Sequence, residues 1–221
     1  METGYKLIVF DWDGTLANSL GQIVTVMQEA IDELHLEQRS PREIQEVIGL
    51  GLTEALGILY PELSTAGLQQ LVDRYREFYS GTPAQSAPLY PDAEETLKRL
   101  YDEGYFLGVA TGKSRRGLHR ALVETGTEKL FHASCCADEA FSKPHPQMLE
   151  NIMDGLGISP QETLMIGDTE YDMQMARNAG TAAVAVAYGA HRPERLLEFE
   201  PLTCIDCLKA LPDWLIACQQ S

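Results

Sequence analysis

The sequence predicts an α/β protein: a parallel sheet with helices on both faces, interrupted once by a small all-helical segment. Three observations carry this. Leu7-Ile-Val-Phe10 is an apolar run too short for a helix, as expected of a strand buried on both faces. From Pro91 onward, strand-like and helix-like stretches alternate, the pattern of a sheet layered with helices. Between residues 18 and 80 there is only helical periodicity.

The elements follow in order. After the first strand, Asn18 or Ser19 caps a helix whose apolar stripe is Leu20, Ile23, Val24, Met27, Ile31 and Leu34. Ser40-Pro-Arg-Glu43 is a capping box with proline at the first helical position, and its helix runs to Ile48 and stops at Gly49. Gly49-Leu-Gly51 reads as a flexible hinge before a helix over Leu52–Tyr60. A fourth helix carries Leu68, Leu71, Val72, Tyr75 and Phe78 on one face. Ser80–Pro91, with three prolines, is a linker. A helix from Pro91 closes at Gly104, and the strand Tyr105–Ala110 ends on Thr111-Gly112. Ser114 caps a helix to Gly126, Ala133–Ala137 is a short strand, and His145–Leu156 is a helix. The strand Leu164–Ile166 ends on Gly167-Asp168, and a helix to Gly180 and the strand Ala182–Ala187 follow. The tail adds a short helix and a strand near Thr203.

The first strand ends on two carboxylates, Asp11 and Asp13, with Gly14 next. Open α/β sheets bind ligands at the carboxyl ends of their strands. Two buried like charges need a cation or a shared proton to relieve them. The simplest reading is a Mg²⁺-supported Asp nucleophile with an acid/base partner two residues on. A calcium loop is excluded, because its fifth, sixth and twelfth positions hold Thr15, Leu16 and Gln22. A plain strand-to-turn junction is the bland alternative. Two further predicted strands end on Thr111 and Asp168, Lys143 follows in a proline-braced loop, and Asp172 lies one helical turn after Asp168. Carboxylates with a lysine and a hydroxyl can hold a divalent metal and a phosphate together.

The formal charge of −16 over 221 residues argues against nucleic acid or an anionic membrane as partner. An anionic substrate must then be drawn by a local positive site. With no membrane-length apolar run and no signal-peptide pattern, a cytoplasmic protein is expected. Cys204-x-x-Cys207 lacks a second ligand pair, and Cys135 and Cys136 read as small buried hydrophobes.

With these residues placed, the chain resembles the haloacid dehalogenase-like hydrolase superfamily from Lys6 to about Leu215. The four motifs are Asp11-Trp-Asp13-Gly-Thr15, Thr111-Gly112, Lys143-Pro144 and Gly167-Asp168-Thr-Glu-Tyr-Asp172. The resemblance implies a Rossmann-like core over residues 1–17 and 81–221 and a helical cap over 18–80, of the phosphoglycolate phosphatase type. It implies Asp11 as nucleophile and Asp13 as acid/base. Mg²⁺ is implied on Asp11, the Asp13 carbonyl and Asp168, with Asp172 supporting the metal or orienting Lys143. Thr111, Gly112 and Lys143 would hold the phosphoryl oxygens, with Trp12 and Gly14 beside them, and Gly49, Leu50 and Gly51 would approach the substrate.

Asp13 argues against a dehalogenase or an ATPase, which carry another residue there. A β-phosphoglucomutase-type mutase keeps it and stays open beside the phosphatase, as does, further off, an inactive binding homologue. Of the cap arginines, only Arg39 and Arg42 are placed to reach the crevice, with solvation as their bland reading, whereas Arg74 and Arg76 diverge and form no shared phosphate clamp. The expected partner is a small phosphorylated metabolite, its remaining anionic group held by residues 49–53, and the expected assembly is a monomer or homodimer.

Overall fold

The computed structural model describes residues 4–81 and 87–219. β1 (Leu7–Phe10) is fully buried and lies between β2 (Phe106–Thr111) and β4 (Thr163–Gly167), parallel to both. β3 (Ala133–Cys136), β5 (Ala182–Val186) and β6 (Thr203–Ile205) complete a six-stranded sheet of order β3-β2-β1-β4-β5-β6 with every pairing parallel. The order reverses at β1, so the crevice of a doubly wound sheet opens at its carboxyl end.

The period of two along β1 divides its contacts. Ile8 and Phe10 join Leu97 and Leu100 of one helix, α5 (Ala93–Asp102), Leu118 of α6 (Arg115–Thr125) and Leu211 of α10 (Ala210–Gln219). Leu7 and Val9 join Met148 and Ile152 of α7 (Gln147–Leu156) and Met175 of α8 (Glu170–Ala179). Burying each such side chain is worth roughly 1.5–3 kcal/mol, so a charged residue at Val9 would break the fold. Leu196 of α9 (Pro193–Leu197) packs with Ala185.

The helical segment comprises α1 (Leu20–Glu33), α2 (Pro41–Glu46), α3 (Leu52–Leu59) and α4 (Thr65–Gly81). It has an apolar cluster of its own, with Met27, Ile31, Ile44, Leu56 and Leu71 at its centre. The Ser40–Glu43 capping box forms in both directions, although α2 ends at Glu46, two residues before the predicted Ile48. Ser19 stands at the N-cap of α1 but makes no capping bond, because its hydroxyl is used elsewhere.

α4 runs to Gly81, into the predicted linker, and residues 82–86 of that linker lie outside the described residues. The returning chain pairs with the departing one: Asn18 N–H donates to Pro88 at 2.9 Å and Tyr90 N–H to Leu16 at 2.8 Å. The helix predicted from Pro91 starts at Ala93, after Asp92 takes a left-handed conformation. Among the described residues no helix is long and apolar enough to cross a membrane.

Candidate active site

Asp11 follows β1 directly, its N–H donating to Ile166 of β4 at 2.9 Å. This places its carboxylate at the switch point. Lys143 reaches in from the loop before α7 and donates to Asp11 Oδ1 at 2.7 Å and to Asp172 Oδ1 at 2.6 Å. The other oxygen of Asp172 accepts from the Thr169 N–H at 3.1 Å and the Thr169 hydroxyl at 2.7 Å, closing the capping box of α8. Both oxygens of Asp172 are thus engaged, one by Lys143 and the other at the start of α8.

Asp168 ends β4, its two oxygens accepting from the Thr15 hydroxyl and the Ala190 N–H, each at 2.7 Å. It fits only because position 14 is glycine. Gly14 has φ +88°, and a Cβ there would stand 2.2 Å from Asp168 Oδ2.

The electrostatics are unbalanced. Asp11, Asp168 and Asp172 are all buried, with potential ligand atoms within 4.8 Å of one another. Three carboxylates against one ammonium leave a formal −2. Burial, opposed by Lys143 and reinforced by Asp172 and Asp168, lifts the Asp11 carboxyl well above its ordinary range. Burial and then Asp172 push Asp168 up to about 7. Burial also works against the charge on Lys143, but Asp11 and Asp172 outweigh it and raise its pKa. Asp11 Oδ2 is buried without a hydrogen-bond partner. A hard divalent cation suits this donor set: it supplies the missing positive charge and a partner for the orphaned oxygen.

Asp13 has a separate set of partners. Its Oδ1 accepts from the Ser19 hydroxyl at 2.6 Å and lies 2.9 Å from the Lys113 ammonium. Lys113 also donates to the Tyr79 hydroxyl of α4 at 3.0 Å, beside that ring. Asp13 and Tyr79, among others, raise its pKa against the effect of burial. Lys113, Ser19 and Tyr79 were not foreseen as site residues. Lys113 follows Thr111-Gly112 at a strand end, the same positional signal that marked Asp168. Ser19 reads in the sequence as a cap, and Tyr79 carries no assignment there.

A cavity of about 480 Å³ lies above this floor, bounded by Asp11, Asp13, Gly112, Lys113, the 49–51 loop, the first turn of α3 and the inner faces of α1, α2 and α4. Lys143, Asp168, Asp172 and Thr111 are not on its wall; they are buried at 1% exposure or less. The Trp12 indole turns into the sheet core against Phe131, so position 12 offers the site only its backbone. Gly49, Leu50 and Gly51 reach the cavity, but not as a free hinge. Gly51 N–H donates to the Ser142 hydroxyl at 2.8 Å, and a Cβ on Gly112 would stand 2.3 Å from the Leu50 carbonyl oxygen. The loop is docked on the core.

The expected assignment of the arginines is corrected as well. Arg39 lies over the Tyr60 ring and donates to the Leu59 carbonyl, away from the cavity, and Arg42 sits near Glu46; it is Arg76 that lines the cavity.

The same architecture recurs in known proteins. The profile of the haloacid dehalogenase-like hydrolases matches residues 8–186, which takes in β1 to β5 and every carboxylate described above. The chain belongs to this family. It is 32% identical over 218 residues to a phosphoglycolate phosphatase of Vibrio vulnificus, covering 94% of this chain and 95% of that one. It is 30% identical over 201 residues to the pyrophosphatase PpaX of Bacillus pumilus, covering 90% and 91%. The crystal structure of a predicted phosphoglycolate phosphatase from Haemophilus somnus superposes with a TM-score of 0.84 at 28% identity, covering 95% of this chain and 97% of that one.

Proposed function

We propose that the chain is a Mg²⁺-dependent phosphatase that hydrolyses a small phosphate monoester through an aspartyl-phosphate on Asp11. The observation that carries this is the division of labour between two carboxylates two residues apart. Asp11 is fixed through one oxygen by Lys143 while Oδ2 is left without a partner, and Asp13 is held apart by Ser19 and Lys113.

Asp11 attacks phosphorus through one carboxylate oxygen as the bond to the ester oxygen breaks, and Asp13 gives the departing alkoxide its proton. The Asp13 carboxylate then takes a proton from water attacking the aspartyl-phosphate, which releases phosphate and restores Asp11. Such acid/base help is worth roughly 10²–10⁴-fold in each half. Lys143 and the Gly112 N–H hold the phosphoryl oxygens, with Thr111 bracing that turn by accepting the Lys113 N–H at 3.2 Å. Asp11, the Asp13 carbonyl and Asp168 would hold Mg²⁺, which supplies charge neutralisation between carboxylate and phosphate. Asp172 orients Lys143.

In this reading the helices over 18–80 form a cap on a core of residues 1–17 and 81–221, and the 49–51 loop shields the reacting phosphorus from bulk water. The assignment to the cytoplasm is part of the proposal, supported by five cysteines that form no disulfide. Acid quench during turnover of a monoester with Mg²⁺, followed by peptide mass spectrometry, tests the reading. A phosphoryl group on the peptide containing Asp11 is expected; hydrolysis with no acid-stable protein-bound phosphate, and no effect of Asp11→Asn, would overturn it.

A further inference from the structure

We propose, resting on the phosphatase reading, that the substrate's alcohol is a bulky, mainly apolar group with a second anionic group at its far end. The cavity volume of about 480 Å³ remains with the 49–51 loop already docked on Ser142 and Gly112, so it is not space that loop docking would remove. It falls in the range of sites that enclose drug-sized ligands, and a two-carbon acid phosphate or an inorganic diphosphate would leave most of it empty.

Its wall beyond the carboxylates is largely hydrocarbon. Ile23 and Met27 of α1, Ile44 of α2, Val47 and Leu50 present it with side chains that are 9% exposed or less, and Leu52 and Tyr75 add to them. A leaving group with apolar bulk gains by displacing water from such a wall, whereas a small polar one gains little.

The charge lies at the rim. Arg76 of α4 and Arg116 of α6 both line the cavity and are both exposed. Neither makes a hydrogen bond or ion pair among the described residues. The other basic lining residues are engaged, Lys113 with Asp13 and Arg120 with Glu124 at 2.8 Å. Of the remaining acidic lining residues, Asp138 accepts the Arg115 N–H at 2.8 Å. Glu54, in the first turn of α3, also lines the cavity and would repel an anion, favouring one that lies by Arg76 and Arg116. In a chain of formal charge −16, two unpaired guanidiniums facing one opening form a local site for a carboxylate or a phosphate.

The test uses primary alkyl phosphates, whose leaving groups are chemically alike: ethyl phosphate, hexyl phosphate and the phosphate ester of 6-hydroxyhexanoate, with phosphoglycolate for comparison, each assayed with Mg²⁺ for phosphate release. The expected order of kcat/KM is the carboxylated six-carbon ester, then hexyl phosphate, then ethyl phosphate and phosphoglycolate. Each step should be about tenfold or more. In the Arg76→Gln, Arg116→Gln double variant, the ratio of kcat/KM for the carboxylated ester to that for hexyl phosphate should fall toward one, chiefly through KM. Phosphoglycolate or ethyl phosphate as the best substrate would overturn the inference and leave the phosphatase standing. A carboxylate preference that survives the double variant would overturn the rim assignment. Hydrolysis of none of the four, together with none of p-nitrophenyl phosphate, would overturn the phosphatase reading and this inference with it.

Discussion

The ammonium of Lys113 lies 2.9 Å from the carboxylate of Asp13, with side chains only 10% and 11% exposed. Lys113 thereby fixes the direction in which Asp13 presents its oxygens, and it does so from a loop that also touches α4 through Tyr79.

Replacing Lys113 should therefore harm acid/base help and spare nucleophilic attack. In Lys113→Met, kcat for an alkyl phosphate should fall about 10–100-fold, within the scale of acid/base contributions. With p-nitrophenyl phosphate, whose leaving group departs without a proton, the fall should be several-fold at most. Lys113→Arg should recover part of the loss. Equal losses on both substrates would assign Lys113 to folding or to phosphate binding.

Asp11→Asn removes the proposed nucleophile but keeps size and shape. Turnover should drop by about 10³-fold or more, the scale seen when a covalent-catalysis nucleophile is lost, while circular dichroism and the melting profile stay close to wild type. Substantial residual turnover would exclude the covalent route.

The buried carboxylates link metal, pH and stability. The folded-state pKa of Asp168, about 7, lies above its ordinary 3.8. The folded state therefore holds this proton more tightly than the unfolded state does. Its contribution is fully present below about pH 4 and is lost as pH rises through 7. In EDTA, Tm should fall across that window. In the proposed site Mg²⁺ takes the place of this proton, so it should flatten the slope and raise Tm at pH 7.5, and Asp168→Asn should abolish the metal-induced rise. Ca²⁺, which takes a looser and larger shell, should stabilise yet inhibit. A Tm indifferent to Mg²⁺ at every pH would contradict the metal site.

Gly112→Ala tests the docked loop. The new methyl would meet the Leu50 carbonyl, 2.3 Å away, so the 49–51 loop must lift off the core. We expect KM to rise about tenfold with kcat reduced, and proteolysis within residues 47–53 to accelerate. Unchanged kinetics would show that the loop need not dock.

The sheet was legible because β1 is buried on both faces and its apolar run says so without ambiguity. Asp11, Asp168 and Lys143 were legible for a related reason: charged residues at strand ends or beside a proline-braced turn are hard to account for by packing. Ser19 was misread because serine before a helix carries the same signal whether it caps the helix or serves a distant carboxylate. The Gly49–Gly51 loop was misread in the same way, since glycine marks both freedom and close approach and only the neighbouring backbone distinguishes them. Which arginine faces the crevice depends on how α4 rotates against the core, a property of tertiary packing that a periodicity of one helix does not contain.

The position of β1 has a consequence for synthesis. It is made well before its two sheet partners, which begin at Phe106 and Thr163. At ribosomal rates of roughly 5–20 residues per second, on the order of ten to thirty seconds separate its emergence from that of β4. During that interval a hydrophobic segment with at least one open edge is exposed to other chains, a hazard that chaperones relieve. Thr15 and Asp168, 153 residues apart, meet only when it ends. A nascent chain that has not reached β4 and α8 therefore carries Asp11 without the full set of Lys143, Asp168 and Asp172, the groups gathered around it in the folded protein.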